Sequence, residues 1–194
     1  MLSFIIGMLV VPAVLPVEKF FKDSVLPAGI AVIVVLSFIE EIGKFMGAWF
    51  SALRRKECDE PIDPMIYMIT TALGFAALEN ALFLFGHNTG GIFSLLVTGN
   101  LRFVGASLLH VLASGAMGFF IALSAGKPAS KKLAYGIIGL SIATALHAFF
   151  NLFIILIKGN GLIIAFLYVW VSIIILLAAF EKIKRLKGPI QTSF

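Results

Sequence analysis

Charge is what this sequence has least of. Of its 194 residues, 15 are lysine or arginine and 10 are aspartate or glutamate, so 13% are charged and 60% are hydrophobic. A soluble domain carries roughly 25% charged residues. Long hydrophilic stretches are missing too: the longest connection, residues 54–64, has eleven residues. These shortages leave no room for a sizeable soluble domain. With a mean hydropathy of +1.07, they predict an all-α, polytopic transmembrane helical bundle of about six spans, read as a single domain over 1–194.

Cysteine is nearly absent. Cys58, in that loop, is alone, which excludes an intramolecular disulfide and any cysteine-clustered zinc or iron–sulfur site. The apolar opening, residues 1–17, has no basic n-region and no small-residue cleavage site. It is therefore read as a short first span holding Pro12 and Pro16 rather than as a secretory signal. The net charge of +5 comes from basic residues scattered at the ends of apolar runs, with no cluster of groove size, so nucleic acid is excluded as a partner.

What the sequence has in abundance is apolar runs near the ~20 residues that a helix needs to cross the hydrocarbon core. They fall near 2–17, 27–53, 65–86, 100–125, 132–157 and 161–180. None shows the strict alternation of a strand, and helices are the spanning form that satisfies its own backbone. Residues 89–99 are expected to form a short interfacial or re-entrant piece. Arg54, Arg55, Lys56, Lys127, Lys131, Lys132, Lys182, Lys184, Arg185 and Lys187 fall on one side, against Lys19, Lys22 and Lys158 on the other. Cytoplasmic loops carry the excess, so both termini are expected to be cytoplasmic in a multi-pass protein of the cell membrane. The basic run 181–187 reads as an interfacial anchor beside anionic lipid. Gly43 with Gly47, and Ser114 with Gly118, read as small-residue pairs for close helix packing.

The ionisable groups left inside the spans are few: Glu40, Glu41, Lys44, Glu79, Arg102, His110 and His147, with Asn80 and Asn151 as polar neighbours. A charge near mid-bilayer costs roughly 2.5–3.5 kcal/mol on insertion scales, which calls for a functional reason. At ~1.5 Å rise per residue, Glu40, Glu41, His110 and His147 lie roughly 15–20 Å from the outer ends of their spans, and Glu79 roughly 10 Å. They can form one layer. Lys44 stands four residues after Glu40 and three after Glu41, so its ammonium can face either carboxylate. Two adjacent carboxylates repel in low dielectric, which makes one a candidate base or proton carrier unless a metal neutralises it. Glu79 can serve the layer, pair with Arg102, or do both. His147 and Asn151 share a helix face, whereas His87 belongs to an outer turn.

Acids and imidazoles converging in a cavity suit water activation for hydrolysis. Ser37 and Ser114 lie in no hydrolase elbow, and both the HExxH zinc signature and the Glu-x-x-His repeat of di-iron bundles are missing. A divalent metal such as zinc, held by Glu40, Glu41, Glu79, His110 and His147, and a metal-free water are both compatible with this donor set. The same layer also suits a proton- or ion-coupled transporter, although inverted halves and paired broken helices are missing. A third alternative is a non-catalytic membrane scaffold.

Across residues 27–157 the chain resembles the PrsW family of intramembrane proteases, within the larger superfamily of CAAX prenyl endopeptidases and bacteriocin-processing enzymes. The resemblance rests on Glu40-Glu41-Ile42-Gly43-Lys44 for EExxK, Phe75 to Glu79 for FxxxE followed by Asn80, His110 in the next span, and His147 to Asn151 for HxxxN. It implies endoproteolysis of a membrane-associated polypeptide, typified by a membrane-tethered anti-sigma factor. Carried over residue by residue, Glu40 is the water-activating acid, Glu41 its partner, and His147 with Asn151 the oxyanion-binding pair. Glu79 and His110 complete the site, with Lys44, Asn80 and Arg102 in support. The broader superfamily usually has EExxxR and a histidine ending the second motif; Lys44 and Glu79 here point to the PrsW branch.

Overall fold

Six α-helices follow one another in the computed structural model, which describes residues 1–25, 29–86, 91–156 and 161–186, with side chains described except at 24–25, 91–102, 155–156, 161–163 and 166. They are α1 Leu2–Phe20, α2 Ile30–Ala48, α3 Asp63–Gly86, α4 Gly91–Leu123, α5 Ala129–Leu156 and α6 Gly161–Lys184. No strand occurs among the described residues. α1 continues through a π-helical turn over Phe21–Val25, and α2 through another over Trp49–Leu53. Gly29 precedes α2 at φ +143°, a conformation open to glycine because it has no Cβ.

Among the described residues four segments are long and apolar enough to cross a bilayer: Leu2–Asp23, Asp63–Gly86, Phe103–Leu123 and Ala129–Ile154. α2 has comparable length but carries Glu40, Glu41 and Lys44, and α6 ends in Glu181, Lys182 and Lys184. The outer surface is apolar, with Phe85, Leu133, Leu167, Ile174 and Ile175 all exposed. Such a surface is stable against lipid rather than water.

α1, α3, α4, α5 and α2 form a closed ring in that order, each packed on the next, with α2 returning to α1 and α6 lying against α4 and α5. Small residues set how tightly the ring closes. A Cβ at Gly7 would overlap the Thr71 carbonyl, and one at Gly74 would overlap that of Phe4, so α1 and α3 cross backbone to backbone. The expected small pairs also sit at crossings: Gly43 and Gly47 against Val10, and Gly118 against the Met65 backbone.

Several boundaries differ from those read in the sequence. The first helix runs past residue 17 to Phe20; Pro12 and Pro16 lie on its exposed side and do not break it. Residues 91–99 are the first turns of α4 rather than a separate piece, because no proline interrupts the run. α6 carries on to Lys184, so the first part of the basic anchor is helical. α3 begins at Asp63, whose carboxylate accepts the backbone N–H groups of Asp59 and Glu60 and ties down the preceding loop.

Candidate active site

On α2, consecutive residues project ~100° apart, so Glu40 and Glu41 cannot share one environment. Glu41 faces the bundle and is 1% exposed, whereas Glu40 sits at the edge at 14%. Lys44 is fully buried; its Nζ donates to Glu41 Oε1 at 2.6 Å and lies 3.6 Å from Glu40 Oε2. The ammonium thus pairs tightly with one of the two acids that helical spacing allowed. Glu41 is saturated: Oε1 also accepts from His147 Nδ1 at 2.8 Å, and Oε2 accepts from Ser114 Oγ at 3.3 Å.

The two imidazoles are fixed by their partners. An ammonium only donates and a carboxylate only accepts. Lys44 donates to His110 Nδ1 at 2.8 Å, so His110 carries its hydrogen on Nε2 and donates it to Glu79 Oε2 at 2.9 Å. His147 donates from Nδ1 to Glu41, which leaves the lone pair on Nε2. That Nε2 faces Glu40 Oε2 at 3.8 Å. The two rings meet edge to face at 5.1 Å, and Phe75 covers both His110, at 5.3 Å, and the Lys44 ammonium, at 4.5 Å. Four helices therefore supply one connected constellation in which both basic acceptors, Glu40 Oε2 and His147 Nε2, turn toward the same point. Glu40 Oε2 is buried and makes no hydrogen bond among the described residues. Burying an unsatisfied carboxylate oxygen is costly, so a water, proton or ion is what that oxygen is placed to meet.

The structure brings Glu40, Glu41, Lys44, Glu79, His110 and His147 together. Glu79 bonds to His110, while the Arg102 side chain lies outside the described residues, as does His87. Asn80 is buried and donates to Ser107 Oγ at 3.2 Å rather than joining the layer. Asn151 follows His147 by one turn of α5 and is half-buried; no hydrogen bond links it to the layer among the described residues. Glu18 was missed. It interacts electrostatically with Glu40, Glu79, Lys44 and His147, and its Oε1 is buried without a hydrogen bond among the described residues. The signal was present: a glutamate directly after an apolar run that the first span, ended at 17, left in a loop.

Glu40, His110 and His147 each offer a ligand atom, and these atoms lie within 4.8 Å of one another. Two histidines and a glutamate form a donor set common at catalytic zinc. Glu40 Oε2 and His147 Nε2 are available as they stand, whereas His110 has both nitrogens engaged and would exchange one hydrogen bond for an ion. Glu41 is committed to Lys44, His147 and Ser114. The five-residue donor set expected from sequence narrows to these three.

The fold is that of a helical, multi-pass membrane protein, and its acid–imidazole constellation suits an intramembrane hydrolase. Comparison with known proteins makes the class specific. Residues 1–179 match the PrsW family intramembrane metalloprotease, and the chain belongs to the PrsW family of intramembrane proteases. It is similar to Protease PrsW of Shouchella clausii, with 24% identity over 184 residues covering 94% of this chain and 80% of that protein. Protease PrsW of Bacillus subtilis is 24% identical over 151 residues, 77% of this chain and 66% of that protein. Protease PrsW of Halalkalibacterium halodurans is 25% identical over 173 residues, 86% and 71%. No solved structure matches the chain. The chain is a membrane protease, which sets aside the transporter and scaffold alternatives.

Proposed function

We propose that this protease hydrolyses a peptide bond in the membrane-embedded or juxtamembrane part of a membrane-associated polypeptide, such as a membrane-tethered anti-sigma factor. The observation that carries the reading is the buried, hydrogen-bond-free Glu40 Oε2 set 3.8 Å from the lone pair of His147 Nε2. A water held between them loses its proton to this pair as its oxygen adds to the substrate carbonyl carbon. The carbon–nitrogen bond then breaks, and the proton passes to the leaving amine, giving a new carboxylate and a new amino terminus. Asn151, one turn beyond His147, donates its amide to the oxyanion. Glu41 holds His147 in the tautomer that keeps Nε2 free, and Lys44 keeps Glu41 ionised. His110 bridges Lys44 to Glu79 and fixes the ammonium in place. A divalent ion bound by Glu40, His110 and His147 would add Lewis-acid polarisation of the same water.

The whole chain, 1–194, acts as one domain in this reading, in the cell membrane with both termini in the cytoplasm. The ten-to-three asymmetry of lysine and arginine supports that orientation. The test is cleavage by the purified chain in lipid vesicles of a single-span polypeptide carrying a fluorophore at each end. Glu40→Ala, Glu41→Ala and His147→Ala variants that keep the parent's thermal midpoint are expected to lose turnover. Parent-like cleavage by all three would refute the proposed site.

A further inference from the structure

α6 lies outside the helical ring, against α4 and α5, and the seam it makes with them holds a cavity of about 460 Å³. Leu112, Ala116 and Phe119 of α4, Leu146 of α5, and Ile175 and Ala179 of α6 give it apolar walls. Among its lining residues one is charged: Lys182, near the end of α6.

Length and width decide what can fill this space. Along α6 it runs from Ser172 to Lys182, which at ~1.5 Å per residue is about 15 Å. That is half of the ~30 Å hydrocarbon core, or one leaflet. A volume of 460 Å³ over this length gives a mean cross-section of about 30 Å², whereas a helix 10–12 Å across needs roughly 80–110 Å². A spanning helix is therefore both too long and too wide. An extended peptide is narrow enough, but besides Lys182 the side chains of the walls offer its backbone only the Ser172 hydroxyl, and unpaired peptide groups are costly in such surroundings. A single hydrocarbon chain has no polar groups to satisfy and has the right reach.

The Lys182 end supplies the other half of the match. Its side chain is exposed, and its ammonium sits 5.9 Å from the centre of the Phe119 ring, which lines the cavity from α4. Lys184 is paired with Glu181 at 3.0 Å, whereas Lys182 makes no ion pair among the described residues. This end belongs to the lysine- and arginine-rich side of the protein, and anionic lipid headgroups attract basic groups at a membrane surface.

We infer that the α4/α5/α6 cavity binds one anionic phospholipid of that leaflet, with an acyl chain between the helices and the headgroup phosphate on Lys182. The end away from Lys182 reaches Leu112, two residues from His110, and Leu146, next to His147. The lipid thus braces the two helices that carry the imidazoles.

The test titrates the purified full chain, stripped of lipid in detergent, with phosphatidylglycerol or with phosphatidylcholine of the same acyl chains, and counts bound lipid by native mass spectrometry. One phosphatidylglycerol is expected to bind about fivefold more tightly than phosphatidylcholine, and Lys182→Gln to remove that preference, the worth of one basic side chain near an anionic surface. Lys184→Gln is expected to change it far less. Ala178→Trp, on an exposed part of the α6 wall, is expected to abolish the tight site for either lipid while the lipid-free thermal midpoint stays at the parent's, and Ala116→Phe repeats the block from α4. A parent that retains no lipid, equal binding of the two headgroups, equal losses in Lys182→Gln and Lys184→Gln, or a tight site that survives both blocking variants overturns the inference.

Discussion

The buried Lys44–Glu41 pair and the exposed Lys184–Glu181 pair share a three-residue helical spacing and similar N···O distances, 2.6 and 3.0 Å. They differ in burial: 0% and 1% exposed in the first, 57% and 60% in the second. At an effective dielectric of ~20, two charges 2.6 Å apart attract by about 6 kcal/mol before desolvation is counted. Removing one member of a buried pair leaves the other charge uncompensated, at a cost of about 3–5 kcal/mol. Lys44→Met and Glu41→Gln are each expected to destabilise the chain by that order. The double variant, which leaves neither member of the tight pair alone and gives up only the looser 3.6 Å contact of Lys44 to Glu40, is expected to be more stable than the two separate losses predict by about 2–3 kcal/mol. The matching cycle on Lys184 and Glu181 is expected to give a coupling of about 0–1 kcal/mol. Equilibrium unfolding of the purified protein in one detergent, for all seven chains, is the assay. Additivity at the buried pair within about 0.5 kcal/mol, or equal coupling at both pairs, would refute the assignment of Lys44 as the counter-ion of Glu41.

Other outcomes follow from single contacts. Gly74→Val places a side chain on the Phe4 carbonyl, where backbone cannot yield, and is expected to destabilise by about 1–3 kcal/mol; Gly86→Val, with nothing within 4 Å of its Cβ, serves as a control that shifts the thermal midpoint far less. Burial pushes the Cys58 thiol up to about 12, with Asp63 and Asp59 adding to the effect. The thiolate is the reactive form, so maleimide at pH 8 is expected to label Cys58 only after unfolding, and rapid labelling of the native chain would contradict this. Ser114→Ala removes the donor to Glu41 Oε2 and is expected to lower turnover a few-fold with KM unchanged; a rise in KM alone would place Ser114 against the substrate instead.

Much of this protein was legible because bilayer crossing needs long apolar runs and penalises charge. The helices were visible as runs, and the constellation as the few residues that interrupt them. What stayed hidden depends on rotation and neighbours. Helical spacing lets Lys44 reach either acid, and only the packing of α2 against α4 and α5 selects Glu41 by turning it inward toward Ser114 and His147. Glu79 meets His110 at 2.9 Å, a contact that depends on which faces α3 and α4 turn to each other and that helical spacing alone does not specify. Gly7 and Gly74 look ordinary until α1 and α3 are crossed. Glu18 directly follows the apolar run that ends at 17, and only the continuation of α1 to Phe20 keeps it on the helix.

The central claim is that Glu40, rather than its saturated neighbour, receives the water's proton. It is tested most directly by single-turnover cleavage of a single-span polypeptide in lipid vesicles by the parent chain and by Glu40→Gln, which keeps size and removes the basic oxygen. The expected result is a rate lower by about 10²–10⁴-fold, the usual worth of a general base. Cleavage by Glu40→Gln at the parent's rate would contradict the account.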